Sequence, residues 1–480
     1  MVLTSANTRY APEFMNEAFE GFRKRFPAYD ATRSLDELRA TEYARLDKHN
    51  QVYLDYTGGG LYAESQLREH MGLMSDNTFG NPHSTNATSM AMTHLVESAR
   101  RYVLEFFNAS PDEYQVIFTQ NSSGALKLVG ESYPFDADSN YLLTFDNHNS
   151  VNGIREFAQG RGATVTYTPV IPPEMRLDDS VLETALNMPK SGGNHLFAFP
   201  AQSNFSGVQH PLEWIEKAQK LGWDVMLDAA AFVPTNRLDL SVWHPDFVDL
   251  SFYKICGYPT GVGCLIARKD TLEKLRRPWF AGGTITCASV QGESLDRAPG
   301  PAAYEDGTLN YLSLPAVEIG LRHIASVGVE TIHARVMALT GWLIEELTAL
   351  RHANGSLVID LYGPTTLDMR GATIEVNFLD ADGLLIRDTQ VERLANQYQI
   401  SLRAGCHCNP GAREMALGYT LDDVQECMAK RPNMTYEQFI ELLDERSIGG
   451  VRASLGIVTN FADVYRYMQF AETFVDYTER

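Results

Sequence analysis

Cysteine is scarce in this chain: six residues in 480, at positions 256, 264, 287, 406, 408 and 427. So thin a supply, placed mostly late, argues against a disulfide framework and for a reducing compartment. Basic charge is also short. Lys and Arg number 40 against 61 Asp and Glu, a formal net charge of −21. Duplex nucleic acid requires clustered cations and is not expected as a partner. Adsorption to an anionic membrane is disfavoured for the same reason. No run approaches the roughly 18 uncharged apolar residues of a membrane span. The opening stretch MVLTSANTRYAPEF lacks the apolar centre of a signal peptide. These absences lead to the expectation of a cytoplasmic protein. Internal repeats and low-complexity linkers are missing too. What is present is ordinary for a globular protein: 44% apolar and 21% charged residues. The length suffices for two or three domains.

Residues 1–50 read as a polar, helical segment. From Val52 to about Arg268, short apolar runs recur: QVYLDY, QVIFT, NYLLTF, ATVTYT, NHLFAFP, WDVMLDA and VGCLIA. Amphipathic stretches separate several of them. In the clearest, 87–107, Met92, Leu95, Val96, Ala99, Tyr102, Val103 and Phe106 fall on one helical face. Strands alternating with helices predict a largely parallel sheet covered on both faces. In such sheets function gathers at the carboxyl ends of strands. Beyond Tyr311 the pattern changes. It predicts one long helix from Ala316 to about Leu350, then strands in SLVIDLYG, GATIEVNFL and QISLR, and an apolar-periodic tail, FADVYRYMQFAETFV. The stretch RAPGPAAYEDG reads as a mobile loop between two domains.

Five places carry chemistry. Lys254, in SFYKICGYPTG, lies between apolar segments and is followed by glycines that permit close backbone approach. It reads as a lysine snorkelling at a strand end or as a Schiff-base lysine, whose amine burial frees. Asp228 closes WDVMLD, 26 residues earlier; it caps a turn or pairs with a protonated pyridine nitrogen. Ser122, Ser123 and Gly124 follow a strand and open a helix, which suits ordinary capping or a phosphate cradle of hydroxyls and free N–H groups. His148, after NYLLTF, is structural or stacks on a flat ring. Cys406, His407 and Cys408 share a Gly- and Pro-bounded loop. A zinc site needs more ligands at other spacings, so no metal is expected. A reactive thiol on a mobile loop, with Arg403 and His407 favouring thiolate, suits the pattern better.

Taken in order, DYTGGG at 55–60, FGNPHS at 79–84, FTQNSSGALKLV at 118–129, DNHNSV at 146–151, LDAAAFV at 227–233, SFYKICGYPTG at 251–261, FAGGT at 280–284, YEDGTLN at 304–310, LRAGCHCNPGA at 402–412 and VRASLG at 451–456 resemble class V aminotransferase-fold enzymes. The set is most similar to the cysteine-desulfurase domain of molybdenum cofactor sulfurases. The resemblance implies an α/β fold, the pyridoxal-phosphate (PLP) transferase fold type I, with a large mainly parallel-sheet domain and a smaller α+β domain. It places a helical segment at 1–50 on the small domain, the PLP-binding domain at 51–315 and the small domain with the Cys loop at 316–480. It implies a homodimer. Lys254 would hold PLP covalently, Asp228 would pair with the ring nitrogen and His148 would stack on the ring. Ser122, Ser123 and Ser251 would bind the phosphate, and Thr284 would reach the phosphate of a neighbouring subunit. Asn204 would contact the cofactor or the substrate carboxylate, Arg452 would clamp that carboxylate and His83 would contact substrate. Cys408 would accept sulfur.

The implied reaction converts L-cysteine to L-alanine with a persulfide on Cys408, for delivery to a molybdenum cofactor or a small molecule. Alternative readings are a C–S lyase or aminotransferase of specialised metabolism and a non-catalytic sulfur-carrier scaffold. Three departures stand out. Ala231 replaces the Gln that many desulfurases carry three residues after the pyridine-pairing Asp, and Arg413 stands near a further Cys position. Sulfurases also commonly continue into a C-terminal cofactor-binding domain, whereas this chain ends at Arg480.

Overall fold

The computed structural model describes residues 9–82, 84–188, 192–430, 434–435 and 450–478. Seven strands form the main sheet: β1 (Tyr114–Thr119), β2 (Asn140–Thr144), β3 (Thr164–Thr168), β4 (His195–Pro200), β5 (Trp223–Asp228), β6 (Phe247–Ser251) and β7 (Gly263–Arg268). Their spatial order is β1-β7-β6-β5-β4-β2-β3. Strands β3, β2, β4, β5 and β6 run parallel, and β7 is antiparallel to both its neighbours. Every residue of β4, β5 and β6 is buried. A sheet covered on both faces needs apolar side chains at all positions, which explains runs such as HLFAFP in place of alternation.

The sequence reading had no strand at β6. The segment FVDLS holds Asp249, which interrupts the apolar pattern, yet that residue is fully buried. The first run, QVYLDY, stays outside the main sheet: only Val52–Tyr53 is strand, paired in parallel with Ile400–Ser401.

Helix α1 (Met15–Arg25) leads the chain, and α2 (Ala87–Phe106) matches the amphipathic stretch. The Asn86 side chain accepts from Ser89 N at 3.0 Å and starts α2, a cap of about 1 kcal/mol. The inward face buries Met92, Val96, Ala99, Tyr102 and Val103. Helices α3 (Ser122–Ser132), α4 (Asn149–Asn152) and α5 (Phe252–Cys256) each follow a strand of the main sheet. The expected long helix is two, α6 (Leu314–Val327) and α7 (Val329–Ala349). Gly328, at φ +88°, breaks it in a conformation that favours glycine.

A second, antiparallel sheet contains β8 (Ile359–Tyr362), β9 (Thr373–Phe378), β10 (Arg403–Gly405) and β11 (Gly450–Ser454), in the order β8-β9-β11-β10. Strand β11, which carries Arg452, was not anticipated. Helix α8 (Pro410–Ala416) follows the Cys loop, and α9 (Phe461–Glu472) closes the chain against this sheet. The first segment packs here as well: the Phe22 ring stacks on Phe461 at 4.9 Å and meets Trp342 edge-on at 6.4 Å. Arg39 pairs with buried Asp463 at 2.5 Å.

The RAPGPAAYEDG stretch is fastened down where a mobile loop was expected. Its residues Gly300–Tyr304 form a 3-10 turn. Glu305 accepts from Arg100 Nη1 at 2.7 Å and from Phe118 N at 2.8 Å. Among the described residues, no helix is long and apolar enough to cross a membrane.

Candidate active site

The carboxyl ends of β2, β4, β5 and β6 meet at one edge of the main sheet, and most residues singled out from sequence gather there. Lys254 sits in α5, just past the end of β6. Gly257 ends that turn at φ +72°; a Cβ there would lie 2.2 Å from the Leu61 carbonyl carbon, so only glycine fits. Asp228 ends β5, and its Oδ1 accepts from Ala230 N at 3.0 Å. Lys254, Asp228, His148, Ser122, Ser123, Ser251 and Asn204 line one cavity of about 160 Å³. Gln202, which sequence reasoning missed, joins them. Its Nε2 donates to Ala231 O at 3.1 Å, which places a glutamine beside the alanine noted as a departure.

Electrostatics in the cavity are set by burial. Burial pulls the Lys254 amine below the ordinary lysine range; Asp228 opposes that shift and Arg452 adds to it. Burial also lowers His148, against Asp228. Its Nδ1 accepts from Ser150 N at 3.1 Å, so the neutral ring carries its proton on Nε2.

The N-terminus of α3 differs from the expected cradle of free N–H groups. Gly124 N donates to the Asn121 side chain at 2.9 Å, and Ser122 N donates to Ser251 Oγ at 3.0 Å. With those two N–H groups engaged, the Ser122, Ser123 and Ser251 side chains line the cavity. Ser251 Oγ accepts the Ser122 N–H and keeps its own proton to donate. Ser123 Oγ lies 2.6 Å from Ser150 Oγ. Behind Ser122 is Asp249, to which the Ser122 hydroxyl is hydrogen-bonded.

The Cys loop is pinned against this edge. Cys408 O accepts from Asn149 N, in the helix His148 caps, at 2.7 Å. Asn409 is fully buried, and its Nδ2 donates to Asp146 O at 2.6 Å and to Asn204 Oδ1 at 2.9 Å. Asn204 Nδ2 donates to His407 O at 2.7 Å. Gly411 packs where a Cβ would come within 2.1 Å of Phe145 O. His407 and Cys408 both take left-handed backbone, at φ +53° and +54°. The Cys408 side chain is exposed and Cys406 is partly buried. Cys408 lies close enough to Tyr253, which lines the cavity, to raise its phenol pKa, although burial is the larger cause. The expectation that His407 would favour a thiolate is corrected. The imidazole is buried, faces Glu375 and is held neutral by burial, its pKa well below the usual range.

Arg452 is buried on β11 and does not line the 160 Å³ cavity, but its charge reaches Lys254 and His148. Its Nη2 donates to Asp55 Oδ1 at 3.2 Å and its Nη1 to Asn204 O at 2.9 Å. Its Nε is buried without a partner. Asp55 also accepts from Arg403 Nη2 at 2.6 Å. Arg403 is therefore held by a carboxylate that sequence reasoning did not single out. Thr284 lies outside the cavity, buried in a turn where its Oγ1 bonds Ala281 N and O at 2.9 Å. His83 falls outside the described residues.

The Aminotransferase class-V model matches residues 52–467, and the chain belongs to that family. The molybdenum cofactor sulfurase of Solanum lycopersicum is 35% identical over 95% of this chain and 59% of its own length. The chain thus spans about three-fifths of that curated relative. Among solved structures, an apo cysteine desulfurase from Thermococcus onnurineus NA1 superposes with a TM-score of 0.75 at 23% identity, covering 92% of this chain and 98% of its own. C-DES, with glycine covalently linked to its PLP cofactor, superposes at 0.68 with 17% identity, covering 90% and 99%. At these identities the structures speak for the fold: the class V α/β architecture, with its large, mostly parallel sheet.

Proposed function

We propose that this chain is a PLP-dependent cysteine desulfurase that passes sulfur onward from Cys408. The observation that carries the reading is the placement of Cys408. Its exposed thiol sits on a turn fastened to the very helix His148 caps, beside the cavity of Lys254 and Asp228. The cavity fits PLP by its donor set: an amine whose pKa burial has lowered, a carboxylate at a strand end and three serine hydroxyls at a helix start. Family membership and the PLP of C-DES agree with this fit.

When bound, PLP supplies an electron sink for charge developing on the substrate Cα. Lys254 would hold the cofactor and then, as a free amine, move the Cα proton. Asp228 would keep a proton on the ring nitrogen, and His148 would lie against the ring. Ser122, Ser123 and Ser251 would hold the phosphate, with Thr284 serving the neighbouring subunit in a homodimer. Arg452 would take the substrate carboxylate, with Asn204 and His83 near the substrate. The Cys408 sulfur would bond to the substrate sulfur as the substrate C–S bond breaks. The carbon fragment, after gaining a proton, would leave as alanine. Residues 51–315 would form the cofactor-binding domain and 316–480 the small domain, with 1–50 packed on it. The sulfur acceptor would be a molybdenum cofactor, as the relative's name suggests, or a small molecule.

The test is incubation of the purified protein with L-cysteine and a reductant, followed by product analysis. Alanine with a loop-peptide persulfide is expected. Pyruvate and ammonia would move the assignment to a C–S lyase, and no product would leave a scaffold.

A further inference from the structure

Asp249 has no role in the chemistry above, yet it is the most completely buried carboxylate beside the cavity. It sits on β6 directly opposite Asp228 on β5, the two being Cα partners in a parallel pair. Such partners point to the same face. Two residues on, Ser251 shares that face and lines the cavity. Among the described residues, no Lys or Arg forms an ion pair with Asp249. Its Oδ1 has no hydrogen-bond partner, and its Oδ2 meets only the Ser122 hydroxyl. The charged and titratable groups that face it are few. Asp228 comes from β5 and Lys254 from α5, while α3 presents Ser122; the buried Cys264 thiol of β7 pairs with Leu250 and lies on the opposite face. Burial, then Asp228, holds the Asp249 carboxyl well above the usual range, against smaller opposing influences from the Ser122 hydroxyl and then Lys254.

These facts constrain the direction of one hydrogen bond. If Asp249 were ionised, the Ser122 hydroxyl would have to donate inward. A second negative charge would then stand behind the hydroxyls read as the phosphate site, unpaired and out of water. Unpaired buried charge of that kind is avoided by neutralisation. We propose that Asp249 is a neutral carboxylic acid that donates its proton to Ser122 Oγ and thereby turns the Ser122 hydroxyl outward, toward the cofactor phosphate. Asp249 is thus a positioning residue, and it makes the serine cluster a site for a dianion. The inference rests on the PLP reading of this cavity.

The linkage has a definite sign. Phosphate binding favours the protonated acid, so cofactor affinity is highest below the Asp249 pKa. It falls as pH rises through that pKa, by up to about tenfold per pH unit for a single linked proton. Apo stability follows the same sign. A carboxyl raised above its unfolded value loses stability as pH rises from about 4 toward its folded pKa.

Asp249→Asn keeps a donor facing Ser122 and cannot ionise. PLP dissociation constants would be measured by absorbance from pH 6.5 to 9 for wild type, Asp249→Asn and Asp249→Leu, with urea midpoints of the apo proteins. Other groups titrate in all three, so the readout is the ratio of constants. Asp249→Asn should bind PLP as well as wild type wherever Asp249 is protonated, and better only where the pH exceeds the raised Asp249 pKa. Its apo urea midpoint should exceed wild type at neutral pH. Asp249→Leu, folded but without a donor, should bind about tenfold more weakly than Asp249→Asn. Weaker binding by wild type than by Asp249→Asn already at pH 6.5, or equal binding by the Asn and Leu variants, overturns the inference while leaving the PLP reading intact. Failure of wild type to bind PLP at every pH overturns both.

Discussion

His407 Nε2 lies 3.0 Å from the Glu375 carboxylate, and both side chains are fully shielded from solvent. Burial shifts the two in opposite directions: Glu375 is held well above the carboxylate range and His407 well below the imidazole range. The pair is therefore neutral, one shared proton joining acid and base. It is wedged under the turn that presents the two cysteines, and a Cβ at Gly450 would lie 2.1 Å from Glu375 Oε1 and push the carboxyl out of place.

Removing one partner should loosen that turn. Glu375→Ala leaves a buried imidazole nitrogen unpaired, at a cost of about 1–3 kcal/mol. The urea midpoint should drop, and alanine release should fall at least about tenfold while PLP remains bound. Glu375→Gln, whose amide can donate to Nε2, should recover most of both. If Glu375→Ala turned over normally, the pair would have no part in placing the loop.

Lys254 should be the residue that captures PLP. Its amine lies below the usual lysine range, chiefly through burial. Half-maximal yellow colour should therefore appear at a pH below about 10.4, the value of a free lysine. Borohydride should fix the label on the peptide 252–256. Asp228→Asn removes the carboxylate that opposes the shift, so its amine should titrate lower still. Label recovered on another lysine would sink the assignment.

Arg452 should govern substrate affinity. A guanidinium offers a fork that lysine cannot copy. Arg452→Lys should raise KM for cysteine by about tenfold or more and leave PLP absorbance intact. Asp55→Asn should act in the same direction but more weakly, because Asp55 orients both Arg452 and Arg403. Unchanged turnover at low cysteine concentration in Arg452→Lys would place the carboxylate site elsewhere.

Much of this site was legible in sequence because strand ends announce themselves. Asp228, His148 and Ser122 each follow an apolar run, and the sheet brings those ends together. Lys254 was legible from its glycine-rich exit. Partners supplied from far along the chain were not. Asp55 meets Arg452 across 397 residues, and Glu375 meets His407 by a side-chain contact between a strand and a loop that apolar pattern does not encode. Strand β6 escaped for a related reason: its buried Asp249 reads as polar until Ser122 and the apolar packing of its neighbours are seen. The Cys loop was expected to be mobile because it holds Gly and Pro, but Asn409 ties it down through contacts with Asp146 and Asn204.

The two loop cysteines should behave differently. Cys408 is exposed and lies near Tyr253 at the cavity wall. Cys406 is partly buried, lies near Glu375 behind the loop, and its carbonyl accepts from Asn409 N at 2.9 Å. The backbone is left-handed at His407, between the two cysteines, and at Cys408 itself. A serine hydroxyl cannot take up the substrate sulfur, because only a thiolate is nucleophile enough at neutral pH. Cys408→Ser should therefore stay yellow, bind cysteine and release less than about one hundredth of the wild-type alanine, the loss expected when a covalent nucleophile is removed. Cys406→Ser should keep most of its activity. Alanine assay and mass spectrometry of the loop peptide after cysteine treatment decide the matter. A persulfide on Cys406, or an active Cys408→Ser protein, would transfer the sulfur-accepting role away from Cys408 and weight the chemistry toward direct C–S cleavage.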